Sequence, residues 1–250
     1  MSFEAAAAGR CVVWTGLTES AMEIQAAFER QGAAFERHPL IVCELLTPSE
    51  ELSISPGTWA VFTSARAAAV TADISMEGAR IVAVGKTTAA TLERFGRRVD
   101  LLPDAGNAAA AADALIQVVT PGTAVIFFKG DKALPTVPTR LRAAGIEVRE
   151  ETVYRTSTVN RDAAMQAAER IRNADAVLFG SPAGVNALSA ATPPSSLAEQ
   201  KPALVWAALG RTTGDALRAA GIPEPVIAAR PEPEEVVRAI CSAWARNPRK

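Results

Sequence analysis

The chain is 250 residues long, 49% apolar and 21% charged, with a formal net charge of −1. That length exceeds the needs of one small core and points to two domains, while the apolar share excludes a disordered chain. Acids and bases are interspersed without a basic stripe, so a nucleic-acid partner is not expected.

The N-terminal segment MSFEAAAAGR lacks the basic start and the long apolar run of a secretory signal. No apolar stretch reaches the ~20 residues needed to span a bilayer. No membrane association is therefore expected, and the protein is expected in the cytoplasm. Cys11, Cys43 and Cys241 are odd in number and far apart. They match neither a disulfide framework nor a zinc site and fit a reducing compartment.

Short β-branched runs then alternate with alanine-rich helical patterns. Strand Cys11–Thr15 precedes helix Ser20–Gln31; Trp59–Thr63 precedes Arg66–Asp73; Arg80–Val84 precedes Thr87–Phe95. The alternation continues with Thr123–Phe128, Pro138–Ala144, Ala174–Phe179, Val185–Ala191, Leu204–Leu209 and Thr212–Ala220. Such an order predicts α/β architecture with parallel sheets flanked by helices. Glycines at 32, 96, 145 and 221 mark helix C-termini.

The same theme occurs twice. Trp59-Ala-Val-Phe-Thr-Ser64 matches Ala176-Val-Leu-Phe-Gly-Ser181, and Ile81-Val-Ala-Val-Gly-Lys-Thr-Thr88 matches Trp206-Ala-Ala-Leu-Gly-Arg-Thr-Thr213. After each Gly-x-Thr-Thr helix comes an extended segment, Val99–Leu102 or Val226–Ala228, and then a last helix. A period of roughly 115–125 residues is too long for a solenoid unit and implies two similar lobes, with the cleft between them as the natural ligand position.

Several familiar chemistries are disfavoured, with a nucleotide-handling role resting only on Gly85-Lys86-Thr87. Gly85-Lys86-Thr87 ends like a P-loop, yet the position that must be glycine is Arg80. His38, the only histidine, sits beside Pro39 in a connecting segment, and neither Ser64 nor Ser181 has a partner histidine or a G-x-S-x-G elbow. The aspartates lack metal-ligand spacing and no G-x-G-x-x-G follows a strand, so neither a metal nor another cofactor is expected.

Motifs Val61-Phe-Thr-Ser-Ala-Arg-Ala67, Ala83-Val-Gly-Lys-Thr-Thr-Ala89, Val153-Tyr-Arg-Thr156, Leu178-Phe-Gly-Ser-Pro-Ala-Gly184 and Ala208-Leu-Gly-Arg-Thr-Thr213 follow one another in this order. In order and spacing the chain resembles the uroporphyrinogen-III synthase family over nearly its whole length. The resemblance implies a discontinuous first lobe from residues 1–37 and 158–250. Residues 45–149 would form an inserted second lobe, and strands 38–44 and 150–157 a connecting two-stranded ladder. It implies a cyclising hydro-lyase, without cofactor, acting on hydroxymethylbilane. It further implies a monomer that makes transient contact with the enzyme supplying that substrate.

The implied reaction turns a linear tetrapyrrole with eight carboxylates into a ring with its last pyrrole inverted, a task of orientation more than of strong acid–base chemistry. A departing hydroxide needs a proton, and Tyr154, the only tyrosine, matches the family's acid position. From the residues alone, the favoured reading of Tyr154 is a strand aromatic packed on the connecting ribbon, and the resemblance brings the acid role level with it. Carboxylate donors are expected at the strand-to-helix junctions: Ser64, Thr87, Thr88, Ser181, Thr212 and Thr213, joined by the basic Arg66, Lys86 and Arg211. Capping and surface solvation remain open roles for each. A non-catalytic module of the same fold that binds a tetrapyrrole or another polycarboxylate is the alternative function.

Overall fold

The computed structural model describes residues 3–47, 52, 54–120 and 122–247. Positions 1–2, 48–51, 53, 121 and 248–250 of the two expected lobes lie outside the described residues. The chain divides into one compact unit of Met1–Val42 with Ser157–Lys250 and a second of Cys43–Thr156. Among the described residues, no helix is long and apolar enough to cross a membrane.

The chain begins in the first unit with α1 (Phe3–Ala7), β1 (Cys11–Trp14), α2 (Met22–Arg30) and β2 (Ala34–Arg37). It passes through β3 (Ile41–Leu45) into the second unit. There follow β4 (Trp59–Phe62), α3 (Ala65–Val70), β5 (Arg80–Ala83), α4 (Lys86–Arg94), α5 (Ala108–Ile116), β6 (Val125–Gly130), α6 (Thr136–Ala143) and β7 (Val148–Thr158). It returns to the first unit with α7 (Arg161–Asn173), β8 (Ala176–Phe179), α8 (Pro182–Ala191), α9 (Pro194–Gln200), β9 (Val205–Ala208), α10 (Arg211–Ala219), β10 (Val226–Ile227) and α11 (Pro233–Arg246).

The first sheet has the order β2-β1-β8-β9-β10, and its strands are paired in parallel. The second runs β3-β7-β6-β4-β5, with parallel pairing from β7 to β5. A single parallel bridge from Leu101 to Val82 continues it at the β5 edge. Register exposes the equivalence. Ala176 pairs with Val205 and Trp59 with Arg80, so the matched motifs occupy matched places. Leu101 lies opposite Val82 as Val226 lies opposite Ala207. Both sheets therefore share one spatial plan, but the second is permuted: its β6 and β7, which stand where β1 and β2 stand, come last instead of first. The extended segment Val99–Leu102 is reduced to that one bridge.

Both faces of each sheet are covered, which is why central strands such as β4 and β8 read as unbroken apolar runs. Along β1 and β8, Val12, Trp14, Ala176 and Leu178 face α1, α2 and α11, while Val13, Val177 and Phe179 face α7, α8 and α9. In the second sheet Trp59, Val61 and Phe127 pack with α5 and α6, and Ala60, Phe62 and Phe128 with α3 and α4. Phe62 stacks on Phe128 at 5.1 Å between centroids, and truncating a buried phenylalanine of this kind costs about 3–5 kcal/mol.

Candidate active site

In the second sheet the chain order reverses between β4 and β6, and ligands of open parallel sheets bind at the strand C-termini beside such a reversal. Three of the expected residues meet there. Ser64, two residues past β4, keeps extended backbone and caps α3, its Oγ accepting from the Ala67 N–H at 3.0 Å. The same oxygen lies 3.3 Å from the Tyr154 hydroxyl. From the second position of α3, the Arg66 guanidinium stands over the Tyr154 ring, 5.8 Å from its centroid, within cation–π range. If Ser64 donates to Tyr154 Oη, the phenol proton is left free to donate to a third oxygen. Tyr154 is half-buried, packed on the cluster that contains Phe62 and Phe128.

The neighbouring junction carries Lys86, Thr87 and Thr88. Hydrogen bonding of Val84 N–H to the Phe62 carbonyl sets it beside Ser64 at the C-terminal end of the next strand. Helix α4 starts from Gly85 with no side-chain cap, so its first N–H groups are open to an anion. Lys86 and Thr87 are exposed, whereas Thr88 is only 5% exposed.

The first unit repeats this second junction closely. Helix α10 starts from Gly210, again without a side-chain cap, with Arg211 and Thr212 exposed and Thr213 only 4% exposed. Arg211 lines a surface cavity of about 650 Å³ together with Arg218 and Arg230. Arg218 is paired with Asp215 and Arg230 with Glu235, while Arg211 has no ion pair among the described residues. Ser181 precedes α8 as Ser64 precedes α3, yet its Oγ makes no cap and is buried without a hydrogen-bond partner among the described residues.

Of the other cations near these junctions, Lys129 is held by Glu150 at 3.1 Å, and Arg142 reaches the same carboxylate at 2.9 Å. Burial alone would raise the Glu150 carboxyl, but the hydrogen bonds and charges of Lys129 and Arg142 hold it below its ordinary value. Lys129 is thus spent on structure. Sequence reasoning misses Gly130 and Asp131, which adjoin Tyr154 through the β6–β7 pairing. A strand-final Gly-Asp is the only trace they leave in the sequence.

Comparison with known proteins gives these junctions a context. The model of the uroporphyrinogen-III synthase HemD family matches residues 22–238. Among solved structures, uroporphyrinogen-III synthetase from Helicobacter pylori is similar with a TM-score of 0.62 at 17% identity, covering 93% of this chain and 99% of that one. A mutant uroporphyrinogen III synthase from Thermus thermophilus is similar with a TM-score of 0.57 at 18% identity, covering 96% of this chain and 100% of the other. At such identities these structures establish the shared α/β fold. The family match, which includes all of the junction residues, shows that the chain belongs to the uroporphyrinogen-III synthase family.

Proposed function

We propose that the protein is a cyclising hydro-lyase that converts hydroxymethylbilane into uroporphyrinogen III, in the cytoplasm, as a monomer and without a cofactor. The observation that carries the catalytic part is the Ser64–Tyr154 hydroxyl pair beneath the Arg66 guanidinium, at the reversal point of the second sheet. The Tyr154 O–H donates its proton as the substrate C–O bond breaks and hydroxide leaves as water; the pyrrole N–H proton then returns to the Tyr154 phenolate, which restores the phenol and leaves a neutral azafulvene. Attack through the last ring gives a spiro intermediate that reopens and closes inverted. General-acid assistance of this kind contributes about 10²–10⁴-fold.

In the second unit, Lys86, Thr87 and Thr88 offer carboxylate donors around the α4 N-terminus. In the first unit, taken by itself, Ser181, Arg211, Thr212 and Thr213 offer the same chemistry around the N-termini of α8 and α10. The substrate is passed from the enzyme that makes it by transient contact, which limits spontaneous closure to the type I isomer.

The test supplies freshly made hydroxymethylbilane to the purified protein without additions and resolves the oxidised products by chromatography. Predominance of the type III isomer over a protein-free control is expected. Accumulation of type I alone, with stable substrate controls, would leave a binding module of the same fold.

A further inference from the structure

Strands β6 and β7 pair regularly from Val125 opposite Val148 to Lys129 opposite Thr152, and then the register jumps. Gly130 faces Tyr154, and Val153 is left over. Strict alternation would put Tyr154 on the face of Val148; instead Tyr154 packs with Val153 on the opposite face, against Phe62 and Phe128. An extra residue is uncommon in a parallel pair, and its effect is to re-aim a side chain.

The re-aimed ring lands on Gly130. A Cβ built on Gly130 would lie 2.7 Å from Tyr154 Oη and overlap Cζ as well. Gly130 is absent from the positive-φ glycines, so its backbone suits any residue and only the ring demands glycine there. Asp131 ties down the same strand end. Its N–H donates to the Tyr154 carbonyl at 3.0 Å, and its Oδ1 accepts from the Thr156 N–H at 3.0 Å.

We infer that Gly130 is a positioning residue: together with the extra residue Val153 and the Asp131 tether, it seats the Tyr154 phenol against Ser64. The inference rests on the reading of Tyr154 as proton donor and says what fixes the donor's aim. A displacement of about 1 Å in such a group costs about 10²-fold in turnover.

Because Tyr154 is the only tyrosine, protein made with 3-fluorotyrosine gives one ¹⁹F resonance, from this ring. Gly130→Ala is expected to move that resonance, to retain cooperative melting, and to lower kcat about 100-fold while KM stays within about twofold. In a Tyr154→Ala background there is no ring to displace, and Gly130→Ala costs no further turnover. An unmoved resonance in folded Gly130→Ala overturns the inference, and so does an equal loss in the Tyr154→Ala background. Should Gly130→Ala fail to fold, recovery in the double variant assigns the failure to the ring and supports the seat, whereas continued misfolding overturns it. A moved resonance alongside a fully active Tyr154→Phe keeps the seat and removes the donor role.

Discussion

The junction after β4 and its counterpart after β8 share a strand, a serine and a helix, but differ in what surrounds the serine. Ser64 is fully engaged, capping α3 and touching the half-buried Tyr154. The Ser181 hydroxyl is buried and unpartnered, and the aromatic near it is Trp14, 1% exposed, whose indole covers Gly16 and Gly180 and donates to the Leu17 carbonyl. Each sheet end thus places an aromatic ring on glycine, once as core and once with a hydroxyl beside a capping serine. The helices differ at their far ends too. Arg97 donates to the Thr71 hydroxyl and to the carbonyls of Thr71, Ala72 and Ile74 just past α3, whereas the exposed Arg161 reaches Ala190 and Ala191 of α8. Duplication preserved the scaffold, and the polar fittings diverged.

The largest expected difference lies in those arginines. Arg97→Ala strands several partly buried carbonyls and is expected to cost about 3 kcal/mol, against about 1 kcal/mol or less for Arg161→Ala. Urea midpoints of the two variants decide this, and equal losses would erase the contrast. Next comes Tyr154→Phe, expected to slow turnover about 10²-fold with unchanged melting. Parental turnover would reduce Tyr154 to a packing residue like Trp14.

Smaller effects separate the serines. Ser64→Ala loses a cap and should destabilise by about 1 kcal/mol. Ser181→Ala removes a buried hydroxyl that has no partner, so its stability is expected to hold or rise while KM rises. Denaturant curves and initial rates on both variants check the pair. The smallest effect concerns Glu150, whose folded carboxyl is held below its ordinary value of 4.5. Its contribution is complete above that value and is lost as pH falls through the lowered folded value. Acid titration of stability should be shallower in Glu150→Gln than in the parent, and identical slopes would show that the Lys129 pairing is inert.

Much of this was legible in the sequence because both sheet faces are buried. Strands such as Ala176–Phe179 read as unbroken apolar runs, and the Gly-x-Thr-Thr junctions recur verbatim. Helix α7 was harder to read, since its buried face is built mainly from Ala164, Ala167 and Ala168, which give a faint stripe; its Asn160 cap is the stronger signal. The seat of Tyr154 was hidden for a different reason. One extra residue in a parallel pair leaves no periodic mark, because Glu151 and Val153 are both buried and the alternation on either side looks continuous.

The insertion of the second unit into the first also imposes a timetable on synthesis. The second unit is a single uninterrupted segment, complete once Thr156 has emerged, whereas β1 is made early and must wait for β8, its partner from Trp14 to Leu178. At about 5–20 residues per second, that delay is roughly ten to thirty seconds. Throughout it, Val12, Val13 and Trp14 lack their β8 partners, and an unpaired apolar strand edge of this kind is prone to aggregate.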